Sequence, residues 1–285
     1  MHCCYINLHH AHERRLAIEA SFNQAVRPGW RLERFSALDT AFVDAHAVEG
    51  TRTRREKACF LSHRAVIQAQ AESGQHLLVL EDDVAFGRTT CQVVDGFLQQ
   101  NAEADWDLLF LDLCPTKIEH VVTLYLNRKS LIRQRTVIPL DLEKIPFIGS
   151  NAYIVNARAF GKVLACMNAA IPIDIEYDLF LSTCISQQLL KAAVLFPFVT
   201  TLSQHADASQ IQPRSINAVN LARNVFRSTV WLEGCSEDMQ DAMQKLDLAI
   251  AGVEHDPISR ILLGMYMKDG GPGSNPDQAA IPVSP

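Results

Sequence analysis

Glu81, Asp82 and Asp83 are the residues whose chemistry is most informative. They follow the wholly apolar run Leu77-Leu78-Val79-Leu80 without a break and precede Val84. A continuous apolar run of this kind predicts a strand buried on both faces. Ligands in open α/β sheets bind at the carboxyl ends of strands, so acids at that point stand where a ligand arrives. Three adjacent carboxylates repel one another unless a cation gathers them, and oxygen donors suit a hard ion, Mg²⁺ or Mn²⁺. Such an ion bridges the oxygens of a diphosphate and offsets charge that grows on a leaving group. Taken alone, the tripeptide also reads as a solvated acidic turn; the apolar strand before it favours metal binding.

A second acidic group, Asp174, Glu176 and Asp178, follows Pro172-Ile173. Read as the start of a helix from Asp174 to Lys191, it puts Asp174 and Asp178 on one face, four residues apart. Any of the three acids could serve as a general base. An N-cap role for Asp174 is the alternative. His63 lies on the helix before the acidic strand and reads either as a phosphate or sugar contact or as a core histidine. His205 reads on its own as a surface histidine, and His9-His10-Ala11-His12 as a loop feature. Two basic stretches, one at Arg52, Arg54, Arg55 and Lys57, the other at Arg128, Lys129, Arg133 and Arg135, read as solvated faces or phosphate contacts.

The elements that must position these groups alternate along the first 200 or so residues. Strands are expected at Tyr5–Leu8, Arg31–Ser36, His76–Leu80, Trp106–Leu111, Ala152–Val155 and Ala192–Phe196. Helices are expected at Glu13–Ala25, Arg55–Ser73, after Val155 to about Met167, and at Asp174–Lys191. Alternation of this kind predicts an α/β fold with a mainly parallel sheet flanked by helices. Amphipathic helices are then expected at Asn217–Trp231, Ser236–Val253 and Pro257–Met267, suited to packing, dimerisation or a membrane surface. The division is a catalytic domain at 1–210, a helical C-terminal extension at 211–268 and a Gly/Pro-rich flexible tail at 269–285.

With 285 residues, 48% hydrophobic and 20% charged, the chain can bury a sizeable core. A net charge of −6 argues against bulk attraction to nucleic acid. Eight cysteines without a Cys-x-x-Cys pair suit reduced thiols in a cytoplasmic protein. The N-terminal residues have neither the basic nor the long apolar region of a signal peptide. No Walker-type glycine-rich loop is present.

Several segments together resemble glycosyltransferase family 25, the lipooligosaccharide galactosyltransferase family that also holds the collagen hydroxylysine galactosyltransferases. They are Tyr5-Ile6-Asn7-Leu8 with Arg14, Ala37-Leu38-Asp39, Cys59-Phe60-Leu61-Ser62-His63, Leu78-Val79-Leu80-Glu81-Asp82-Asp83-Val84, Gly149-Ser150-Asn151-Ala152-Tyr153-Ile154-Val155 and Pro172-Ile173-Asp174. The resemblance spans roughly residues 3 to 210. It departs from the family's pattern at Thr40 and Ala58, where glycine is usual.

The resemblance implies a GT-A-like (Rossmann-like) fold and an inverting, metal-dependent transfer of a hexose, most often galactose. The donor would be a UDP-sugar and the acceptor a lipooligosaccharide or other glycan. It further implies a D-x-D counterpart in which Asp83 is the principal metal ligand, with Glu81 and His205, for Mn²⁺ or Mg²⁺. Asn7, Leu8, Arg14, Asp39, Ser62, His63, Glu81 and Asp82 would bind the donor, and Asp174, matching the family's Pro-x-Asp, would be the base, with Asp178 in reserve. A cytoplasmic enzyme, peripheral at the inner membrane or dimeric, fits that habit. The alternative is a non-catalytic relative that binds a nucleotide-sugar or glycan as a scaffold.

Overall fold

A computed structural model of the chain describes residues 1–102, 104–203, 217–234 and 244. Its centre is a seven-stranded sheet in the order β2-β1-β3-β9-β5-β10-β7. These strands are β1 (His2–Asn7), β2 (Arg31–Ser36), β3 (Leu77–Glu81), β5 (Leu108–Phe110), β7 (Ile138–Asp141), β9 (Ala152–Val155) and β10 (Ala192–Phe196). Five run the same way; β9 and the edge strand β7 run against them. The expected mainly parallel sheet flanked by helices is therefore present, with an antiparallel strand at its middle.

The apolar run before the acids is continuous because successive side chains of β3 enter two different cores. Leu77 and Val79 pack with Phe60, Phe110 and Tyr153. Leu78 and Leu80 pack with Tyr5, Leu109 and Ile154 on the other face. All four are at most 1% exposed, as the period of two demands for a strand covered on both sides. Helices α3 (Arg54–Ala69), α6 (Phe160–Ala169) and α7 (Tyr177–Ser186) supply the first core. Helices α1 (His12–Ala25) and α4 (Thr90–Gln100) supply the second.

Helix α3 starts where a capping box starts it. Thr53 Oγ1 accepts from Glu56 N, and Glu56 Oε2 accepts from Thr53 N at 2.8 Å. Helix α2 (Thr40–Ala45) is N-capped by Asp39, whose Oδ1 accepts from Phe42 N at 2.9 Å. Past the acids the chain turns into β4 (Val84–Phe86), which pairs with β11 (Thr200–Leu202) in a small second sheet. Strands β6 (Cys114–Pro115) and β8 (Phe147–Ile148) form another, beside helices α5 (Ile118–Gln134) and α8 (Asn217–Val230).

One expectation is corrected. The helix read as Asp174–Lys191 begins only at Tyr177, with Glu176 as its N-cap, and ends at Ser186. Ile173 is instead held to the 49–52 loop by Ile173 N to Glu49 O (3.1 Å) and Arg52 N to Ile173 O (3.3 Å). Gly50, at φ +121, admits that close approach; a Cβ there would lie 2.1 Å from Ile173 O. Asp174 is therefore neither on a helical face with Asp178 nor the cap of α7. The helices expected at 236–253 and 257–267, and the tail at 269–285, lie outside the described residues; α8 matches the first of the three C-terminal helices. Among the described residues no helix is long and apolar enough to cross a membrane.

Candidate active site

The carboxyl ends of β1 and β3 open into a cleft of about 460 Å³. Leu8, Arg14, Asp39, Ser62, His63, Glu81, Asp82 and Asp83 all line it, together with His10, Thr40 and Arg55. The parallel register sets Ile6 beside Glu81, so the turn after β1 and the acids after β3 necessarily face each other. Asn7 is 1% exposed and stands behind this wall. Its Nδ2 donates to Asp82 Oδ2 (2.7 Å) and to Ala11 O (3.1 Å), while its Oδ1 accepts from Arg34 Nε at 2.9 Å.

The three acids are used differently. Asp82 is committed to the protein: besides Asn7, it accepts from Arg14 Nη1 at 2.8 Å. Burial, and then the neighbouring Asp83 charge, nevertheless hold its carboxyl above the usual range. Asp83 accepts from Asn151 Nδ2 at 3.1 Å, and its other oxygen lies 3.6 Å from Arg14 Nη1. Glu81 is raised chiefly by burial; its Oε1 lies 3.5 Å from Ser150 Oγ and 3.8 Å from His63 Nε2.

The acids do not converge on one point as a closed three-ligand cage does. They fit a divalent ion in another way. Mg²⁺-type sites rest on one or two carboxylates and complete their shell with substrate phosphates and water. Asp83 and Glu81 line the cleft as such a pair, with Asp82 between them in sequence and bound to Arg14. His205 lies outside the described residues.

His63 stands between the core and the cleft. It is 1% exposed, its ring stacks on Tyr177 at 4.1 Å, and its Nδ1 shares a 2.9 Å hydrogen bond with the Tyr153 hydroxyl. Tyr153 in turn bonds the Tyr177 hydroxyl at 2.7 Å. The ring is thus fixed from the core side, while Nε2, without a hydrogen-bond partner among the described residues, is directed at Glu81. Ser62 donates to Ala58 O (2.7 Å) and accepts from Leu38 N (2.9 Å). Its hydroxyl therefore ties the Leu38-Asp39 corner of the cleft to α3.

Asp174 and Asp178 are not among the residues lining the cleft. Asp174 Oδ1 accepts from Thr51 N at 2.7 Å, a bond that holds its carboxyl below the usual range. Asp178 accepts from Gly149 N at 3.0 Å, in the same loop as Asn151.

Two partners of the site escaped the sequence reading. Asp112 is wholly buried at the carboxyl end of β5, and its Oδ2 pairs with Arg227 Nη2 of α8. The same Nη2 donates to Asn151 Oδ1 at 3.0 Å. A chain of contacts thus runs from Arg227 through Asn151 to Asp83. Asp112 repeats the signal of the acidic triplet, an acid just after a continuous apolar run, and could have been found by it. Arg227 carries no such signal.

The chain is similar at a low level to several solved structures. Mouse xyloside xylosyltransferase 1, in its apo form, is 11% identical over 66% of this chain and 83% of that one, with a TM-score of 0.38. An active-site mutant of LgtC is 13% identical over 68% and 71%, with a TM-score of 0.38. Galactosyltransferase LgtC in complex with donor and acceptor sugar analogues is 12% identical over 68% and 73%, at 0.33. No curated protein matches the chain. The sequence pattern of glycosyltransferase family 25 (LPS biosynthesis protein) matches residues 1–181, and those residues hold β1, β3, the acidic triplet and the whole lining of the cleft. The chain belongs to glycosyltransferase family 25.

Proposed function

We propose that this family member is an inverting, metal-dependent hexosyltransferase that takes a sugar, galactose before others, from a UDP-sugar to a lipooligosaccharide or other glycan acceptor. The observation that carries the reading is the cleft at the ends of β1 and β3, with Glu81 and Asp83 on one wall and Asp39, Arg14 and Arg55 around it. Asp83 and Glu81 would hold Mn²⁺ or Mg²⁺, whose chemistry is to neutralise the leaving diphosphate as a Lewis acid. Asp39, presented at the head of α2, suits a ribose hydroxyl or a uracil N–H. Arg14 offers the diphosphate a fixed positive charge. His63 Nε2 supplies a nitrogen of fixed orientation beside Glu81, for the sugar or a phosphate.

Inversion needs one base on the acceptor side. Asp174 and Asp178 are the candidates, and two observations favour Asp178. It is bound to the Gly149–Asn151 loop that holds Asp83. Asp174 is tied to Thr51, at a loop whose neighbours do not line the cleft.

Thermal unfolding with UDP, GDP and CMP, each with and without Mn²⁺, tests the reading. A ligand at 100 times its Kd adds about 2.7 kcal/mol of stability, so UDP with Mn²⁺ is expected to raise Tm by several degrees while UDP alone does less. Asp83→Ala is expected to remove both the Mn²⁺-dependent shift and sugar transfer. A nucleotide shift without turnover, over a broad donor and acceptor screen, would point to a binding protein in place of an enzyme. Full transfer activity in Asp83→Ala would sink the metal assignment.

A further inference from the structure

The opposite edge of the sheet carries a second cluster of ligand atoms. His2 and Cys4 stand two apart on β1 and so share a face, and the parallel register places Glu33 of β2 directly beside Cys4. His2 Nε2 lies 3.0 Å from Glu33 Oε2 and 3.6 Å from Cys4 Sγ. All three ligand atoms fall within 4.8 Å of one another. A tetrahedral zinc ion with ordinary bond lengths spaces nitrogen and oxygen by roughly 3.4 Å and nitrogen and sulfur by roughly 3.5 Å. The two measured edges match that geometry within a few tenths of an ångström.

The imidazole is already oriented for the task. Gln70 Oε1, at the C-cap of α3, lies 3.1 Å from His2 Nδ1. An amide oxygen only accepts, so Nδ1 carries the hydrogen and Nε2 turns toward the carboxylate and the sulfur. Ligand histidines are commonly fixed in this way by a partner on the far ring nitrogen. Cys4 is 5% exposed while the Glu33 side chain is 67% exposed. The cluster therefore has a dry sulfur side and a wet side where water can complete the shell.

We infer that His2, Cys4 and Glu33 bind a zinc ion through Nε2, Sγ and a carboxylate oxygen, with water as the fourth ligand. Mixed sulfur, nitrogen and oxygen donors select zinc over the hard ions suited to Glu81 and Asp83. Coordination releases one proton from the Cys4 thiol to solvent. The ion ties edge strand β2 to β1 and, through Gln70, to the end of α3. Because it sits at the amino ends of the strands, it is separate from the donor cleft and takes no part in the transfer.

Cobalt(II) titration of the purified full chain, kept reduced with a phosphine, tests this directly. One equivalent is expected to bring up a thiolate-to-cobalt absorption, bleached by one equivalent of zinc. The absorption should vanish in Cys4→Ser and persist in Asp83→Ala. Gln70→Ala is expected to weaken zinc binding about 10- to 100-fold, and Glu33→Gln, at an exposed position, to weaken it as well. No absorption from the folded wild type, or the same absorption in Cys4→Ser, overturns the site. So does unaltered zinc affinity in both Glu33→Gln and Gln70→Ala, which would leave His2 and Glu33 as a plain ion pair.

Discussion

Arg14 and Arg227 each pair with an acid at the carboxyl end of a sheet strand, β3 for Asp82 and β5 for Asp112, and they differ in what each can give up. Arg14, on α1, meets Asp82 at the cleft wall, where both side chains keep some access to water (13% and 11% exposed). Arg227, on α8, meets Asp112 with 6% and 0% exposed. A charge at the edge of a cleft can be traded for a substrate phosphate. A charge in the interior cannot, because its partner would be left bare in a medium that does not solvate it. The first pair is thus suited to binding and the second to holding Asn151, and through it Asp83, in place.

That contrast can be broken experimentally, and the largest effect should fall on the buried pair. Arg227→Ala leaves the Asp112 carboxylate uncompensated and is expected to cost about 3–5 kcal/mol of stability, read from denaturant unfolding. The double change Arg227→Met with Asp112→Leu should recover most of the loss. It should still leave Asp83 poorly oriented, so transfer stays low in a stable protein. If the double variant is fully active, the Asn151 link has no positioning role.

Arg14→Ala should give the reverse pattern. Its loss of stability is expected to be smaller than that of Arg227→Ala, because Asp82 keeps some access to water and its bond from Asn7, while loss of a charge-assisted contact weakens UDP binding about 10- to 100-fold. Calorimetric titration separates the two. Equal losses of stability from Arg14→Ala and Arg227→Ala would erase the distinction between the pairs.

The smallest effect serves as a control away from both arginines. His76 accepts from Ala157 N at 3.0 Å, and burial, with Arg158 nearby, holds its imidazole below the ordinary value. A depressed folded value means that its stabilising contribution is complete above the unfolded value, about 6.5. It is lost as pH falls through the folded value. The acid limb of a Tm–pH profile below about pH 6.5 should therefore flatten in His76→Gln. No change in that limb would assign acid sensitivity to other groups.

The part of the molecule that was legible in the sequence is the part built from local, repeating units. Strands β1, β2 and β3 with α1 and α3 follow a simple alternation of strand and helix, and periodicity located each to within a few residues. The acidic triplet was legible for the same reason: two cores make β3 apolar throughout, so the first acids after it mark the sheet edge. Between Cys114 and Ile148 the chain makes short strands and a helix, α5, whose exposed Ile118, Val122, Tyr125 and Leu126 blur the usual amphipathic pattern. The start of α7 was misplaced because Ile173 bonds across to the 49–52 loop, a partner more than a hundred residues away. Arg227 was invisible for a related reason: an arginine on an amphipathic helix looks solvated until its tertiary partner, Asp112, is known.

The place of β9 has a consequence for the order in which the chain can fold. It lies between β3 and β5, pairing with both, yet residues 152–155 are made after either. While the chain is being synthesised, β3 and β5 cannot be joined across the sheet, and each keeps a bare hydrogen-bonding edge. The elements around the acids, β1, β2, α1 and α3, are all made before β9. The cleft acquires its Asn151 support only when the late strand slides between two early ones, so synthesis of some 150 residues precedes any competent site.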